Sequence, residues 1–117
     1  MPVWSVTLNT GLSDWSTLSE ELYKNVRVFD SATPIARGKQ TVKRKDGTSK
    51  TSEAVVVWVN QYGAKKTKVF STTLGHNNAT VSDPRYLDLV TRGVLWATGH
   101  LKKDGTPAKV YGPATHK

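Results

Sequence analysis

The run Ala54-Val55-Val56-Val57-Trp58-Val59 constrains the fold more than any other stretch of the chain. β-Branched residues uninterrupted over this length predict a strand buried on both faces, not one alternating between core and water. Such a strand needs partners in a sheet and a covering layer on each side. Gln61-Tyr62-Gly63 turns the chain, and Thr67 to Thr73 reads as a second strand that pairs with the first as an antiparallel hairpin.

One covering layer is written just downstream. Asp83 before Pro84 suits a capping residue followed by proline at the first helical position. Leu87, Val90, Val94 and Ala97 recur at helical spacing, and Tyr86, Leu89, Gly93 and Trp96 broaden the apolar stripe. Gly93 costs the helix about 1 kcal/mol relative to alanine, which calls for close packing against another element. Gly99 ends the helix as the residue after its C-cap. The rest, 100–117, holds Gly105, Pro107, Gly112 and Pro113 and reads as a tail lying on the surface. Trp58 and Trp96 sit in apolar segments, so core packing is expected of them before sugar stacking.

Upstream, Val3 to Leu8 alternates like a short strand. Ser16 or Thr17 is placed to cap a short helix holding Glu20 to Tyr23, with Thr17 and Glu20 at capping-box spacing. Val26 to Phe29 reads as a strand, and Pro34 keeps Ala32–Ala36 extended. Between Gly38 and Ser52 Val42 is nearly alone among polar residues, and Asp46-Gly47 is a strong turn dipeptide. That stretch reads as a mobile hairpin tip or a plain surface excursion. No internal repeat stands out.

With 117 residues there is room for one domain with a modest core. The absence of cysteine excludes disulfides, thiolate metal sites and a cysteine nucleophile. No apolar run is long enough for a membrane span. No basic segment followed by an apolar core opens the chain, so cytoplasmic placement is expected if Met1 is the true start. The net charge of +8 raises the question of an anionic partner. Its lysines fall in two polar stretches, Lys39 to Lys50 and Lys65 to Lys68, with no interleaved aromatic to stack on bases. Solvated loops are the ordinary reading, and nucleic acid is not the expected partner. The three histidines lack metal-ligand spacing and there is no glycine-rich phosphate loop, so no cofactor is expected.

His76, in Gly75-His76-Asn77-Asn78, stands where the second strand gives way, and α/β folds place ligands at such strand ends. The plainer reading is a histidine that ties down the turn. Glu21 and Tyr23 are weaker candidates for an acid and a hydroxyl donor facing the same pocket, and Asn77 and Asn78 for bonds to sugar hydroxyls.

Taken in order, Glu20-Glu21-Leu22-Tyr23, Val55 to Val59 with Tyr62-Gly63, Val69-Phe70-Ser71-Thr72-Thr73-Leu74-Gly75-His76, Asp83-Pro84 and Arg92-Gly93-Val94-Leu95-Trp96-Ala97 resemble the trehalose-utilisation (ThuA-like) family. The resemblance implies an α/β fold of flavodoxin-like type, related to the class I glutamine amidotransferases. Residues 1–99 would form the C-terminal part of such a domain: the β-hairpin followed by the C-terminal helix, with its parallel strands elsewhere. It makes His76 the leading active-site candidate, because amidotransferase relatives carry a triad histidine at a strand end before a helix. It further implies a sugar-like small molecule as ligand in the breakdown of trehalose or a related disaccharide, and a complementary half-domain or second copy completing the sheet. The alternatives are a small basic binding module without catalysis, or an inactive fragment.

Overall fold

The computed structural model describes residues 15–17, 20–24 and 27–108. The expected strand at Val3–Leu8 lies outside them, as do Val26 and His116. The described residues form an α/β arrangement: three antiparallel strands followed by two helices. Strands β1 (Thr33–Lys43), β2 (Ser49–Tyr62) and β3 (Thr67–Thr72) lie in the order β1-β2-β3, so the apolar run occupies the central strand. The short helix α1 (Asn78–Val81) and the longer α2 (Pro84–Ala97) follow. No helix among the described residues is long and apolar enough to cross a membrane.

The expected hairpin is present: Val57 pairs with Thr72, Val59 with Phe70 and Tyr62 with Thr67. Gly63 turns the chain at φ +78° and Lys66 takes φ +53° before β3 begins. Val57 and Val59 are fully buried, each contributing about 1.5–3 kcal/mol by leaving water. Trp96 and Leu89 of α2 pack on this face together with Ile35 and Phe70. The opposite face is covered only in part. Leu22 packs at Val56, but Trp58, Tyr62, Val69 and Phe29 border an apolar depression of about 300 Å³, with Tyr62 62% and Phe29 56% exposed. Trp96 is therefore core, as expected, whereas Trp58 lines an open face.

Helix α2 begins and ends as its sequence predicts. The Asp83 carboxylate accepts from the Arg85 N–H at 2.8 Å. Gly99 N–H donates to the Trp96 carbonyl and His100 N–H to Leu95, the paired bonds of a Schellman cap, with Gly99 at φ +78°. His100–Ala108 folds back on itself: Leu101 bridges Pro107 and packs beside Val59 and Trp96.

Three upstream expectations are corrected. Described residues 15–17 and 20–24 are not helical, because Glu20 gives its carboxylate to the N–H of His76, distant in sequence, and Leu22 is drawn onto Val56. Arg27–Phe29 is not a strand; a turn closed by Ala32 N–H to the Phe29 carbonyl follows it, and the strand starts at Thr33. The polar stretch after Gly38 is not a loop. β1 and β2 run through it in register from Gly38↔Ala54 to Lys43↔Ser49, and only the Asp46-Gly47 tip behaves as the dipeptide suggests.

Gly93 is where helix meets sheet. A Cβ built there would lie 2.5 Å from the Phe70 ring. Gly93→Ala gains helix propensity worth about 1 kcal/mol, but the overlap at the ring root forces the helix away, a cost of about 1–3 kcal/mol. Urea denaturation should show Gly93→Ala less stable than the parent, with Phe70→Leu in the Gly93→Ala background recovering part of the loss.

Candidate functional site

His76 follows β3 by four residues, in the turn that leads into α1. Gly75 permits that turn at φ +114°, and the Tyr86 hydroxyl would lie 3.0 Å from a Cβ there, so glycine is required by conformation and by space. Asn77 is the N-cap of α1, its side-chain oxygen accepting from Thr80 N–H at 3.0 Å. That commits the oxygen to structure.

Two consecutive carboxylates reach this turn from far upstream. Glu20 Oε1 accepts from the His76 N–H at 2.8 Å, and Glu21 Oε2 lies 3.4 Å from His76 Nδ1. The His76 and Glu21 side chains are each 52% exposed, so the pair borders water. Burial opposes ionisation of Glu20, but hydrogen bonding from the Thr80 hydroxyl and from the N–H groups of His76, Glu21 and Gly75 outweighs it and holds the carboxyl below its ordinary value.

The arrangement is braced at the start of α2. Arg85 Nη2 donates to Asp83 Oδ2 at 2.7 Å and Nε to Oδ1 at 3.0 Å, a bidentate pair, and the guanidinium lies 4.9 Å from the Trp15 ring centre. Between residues 15–17 and 20–22 and the sheet runs a groove lined by Glu20, Glu21, Leu22, Val56, Val57 and Leu74.

Of the residues singled out from sequence, the fold brings His76, Glu21 and Asn77 together. Asn78 is the exposed first residue of α1, and Tyr23 is exposed with no hydrogen bond or ion pair to His76. Sequence reasoning misses Glu20 as the partner of the His76 N–H, Thr80 beside that carboxylate and Tyr86 against Gly75. Glu20 carried a signal, a carboxylate at capping spacing, that pointed to the wrong N–H. Among the described residues no cluster of histidine, aspartate and glutamate is suited to a metal ion.

Comparison with protein families finds one match: residues 5–97 fit the family described as ThuA, trehalose utilisation. No curated protein and no solved structure matches the chain.

The cap of α2 makes a pH prediction. The bonds and charge of Arg85 lower the Asp83 pKa from 3.8 to about 2. A depressed carboxyl stabilises the fold above its unfolded value near 3.8, and that contribution is lost as pH falls through about 2. The melting temperature, followed by helical circular dichroism, should drop from pH 4 to pH 2. Asp83→Asn keeps a capping oxygen without the titration, so its drop should be smaller; an unchanged drop would assign acid sensitivity elsewhere.

Proposed function

The chain belongs to the trehalose-utilisation (ThuA) family, and from that premise we propose that it binds or processes a sugar derivative, in the catabolism of trehalose or a related disaccharide, at the turn holding His76. The observation that carries the reading is the pairing of a half-exposed histidine ring with Glu21, which lines a groove running along β1. A carboxylate facing Nδ1 favours the tautomer protonated there and leaves Nε2 as acceptor for a sugar hydroxyl proton. Glu20 acts on the backbone, holding the His76 N–H so that the ring keeps its position. Asn78 offers an exposed amide to sugar hydroxyls, and Tyr23 a hydroxyl further out.

In this reading the antiparallel sheet and α2 are the C-terminal part of a flavodoxin-like domain related to the class I glutamine amidotransferases. The complementary half-domain would cover the face carrying Trp58, Tyr62, Val69 and Phe29. What supports it is that this face is apolar and open while the other carries α2.

Two measurements test these statements. Adding trehalose, maltose or sucrose to the isotope-labelled chain should shift the amide resonances of Gly75, His76 and Asn78, and His76→Ala should weaken binding at least about tenfold, or 1.4 kcal/mol. A folded chain with no shifts at about 50 mM sugar, far weaker than ordinary ligand affinities, would overturn the assignment. Light scattering should show the chain self-associating through its open face, with Trp58→Lys plus Tyr62→Lys restoring a monomer. A parent chain that is monomeric and melts cooperatively would remove the need for a complementary half.

A further inference from the structure

The polar, lysine-rich stretch after Gly38 is a two-stranded ribbon. β3 pairs β2 only from Val57 to Tyr62, so β1 and β2 continue beyond the sheet through Lys39↔Glu53, Gln40↔Ser52, Thr41↔Thr51, Val42↔Lys50 and Lys43↔Ser49. Five paired residues at about 3.4 Å each give an arm about 17 Å long. Almost every residue on it is exposed, and a two-stranded ribbon without a core is marginal by itself. A cross-strand hydroxyl bond, Thr41 to Thr51 at 2.9 Å, and a tip tied by Asp46 to Thr48 hold its shape.

The arm and its base carry six cations, Arg37, Lys39, Lys43, Arg44, Lys45 and Lys50, against two carboxylates, Asp46 and Glu53. Asp46 is engaged by Thr48, and Glu53 sits opposite Lys39 in register. All six cations are exposed, and among the described residues none enters an ion pair or a side-chain hydrogen bond. Alternation places Arg37, Lys39 and Lys43 on one face, Lys50 on the other, and Arg44 and Lys45 at the tip. The arm thus presents positive charge on both faces and at its end, with no aromatic side chain.

We propose that this ribbon is a docking arm for the phosphate backbone of duplex nucleic acid. A two-stranded ribbon fits the major groove of B-form DNA, which is about 12 Å wide, and cations on both faces then meet the phosphates on either wall. The absence of aromatics argues against single strands, which bind by base stacking, and the absence of amide side chains other than Gln40 argues for binding without sequence preference. The base of the arm, Arg37 to Thr41, lines the groove that also holds Glu20 and Glu21, but Lys43 to Lys50 lie beyond it, so the inference does not rest on the sugar site.

Fluorescence anisotropy with a labelled mixed-sequence 20-base-pair DNA duplex tests it on the full chain. Binding should weaken with salt at a log–log slope of about −3.6 to −5.4, from four to six neutralised phosphates. The variant Lys43→Ser, Arg44→Ser, Lys45→Ser, Lys50→Ser should lower affinity at least about 30-fold at low salt and flatten the slope by about 3. Lys65→Ser with Lys66→Ser, at the opposite end of β2, should change affinity less than about threefold, since distant sites act independently. Circular dichroism matching the parent certifies each variant's fold. No binding at about 20 mM salt, where electrostatic contacts are strongest, would overturn the proposal. So would equal losses in both variants, which would indicate net charge alone, or tighter binding to phosphatidylserine vesicles or to single strands than to the duplex.

Discussion

The contact between the Phe70 ring and Gly93 sets the distance between sheet and helix, and the other placements follow from it. Phe70 pairs with Val59 on the central strand, so its ring projects from the most buried part of the sheet. Only a residue without Cβ lets α2 come close enough to seal Val57 and Val59. With the helix lowered there, Leu89 reaches one part of the core and Trp96 the other. The Lys68 ammonium on β3 then lies over the Trp96 ring, 5.4 Å from its centre, and donates to the Trp96 carbonyl at 3.5 Å. The helix start arrives beside Trp15 and Gly75, and its end brings Leu101 onto the core.

The candidate site depends on the same geometry at one remove. His76 stands on the short path between β3 and α2, so its position is bounded at both ends by elements that Gly93 holds together. What the path lacks is a lateral restraint, and the segment around Glu20 supplies it. One carboxylate is spent on backbone N–H groups, the next faces the imidazole, and Leu22 anchors both by packing against Val56. This divides labour between neighbours: the more buried Glu20 fixes the turn, and the more exposed Glu21 remains where a ligand could meet it.

Much of this was legible in the sequence because it is local. The hairpin after Tyr62-Gly63, the Asp83-Pro84 start, the Gly99 stop and the tight packing at Gly93 all follow from residue types acting within a few positions. Membership of the ThuA family was legible too, from the order of its segments. The failures share a cause. Glu20 has the spacing of a capping box, but an N–H more than fifty residues away competes for it and wins once Leu22 is buried. Arg37 to Lys43 lacks the alternation of a half-buried strand because neither face of that strand is buried. Its extended form comes from pairing with β2, whose conformation is imposed further along by the valine run. Pattern reading detects burial, and an exposed ribbon has none to detect.

One tetrapeptide separates the local contribution from the global one. Lys-Asp-Gly-Thr occurs at 45–48 and again at 103–106. Both copies form the same turn. The aspartate accepts from the threonine N–H and hydroxyl, the glycine N–H donates to the residue three before it, and the threonine carbonyl accepts from the residue before the lysine. In both, the threonine bonds hold the aspartate carboxyl below its ordinary value. Their surroundings differ: Gly47 is exposed at the tip of the basic arm, and Gly105 is buried where His100–Ala108 folds back. Side-chain bonding within four residues is therefore enough to decide the turn. What flanks it decides its use, since Leu101 gives one copy an apolar anchor on the core while lysine and arginine leave the other projecting into water.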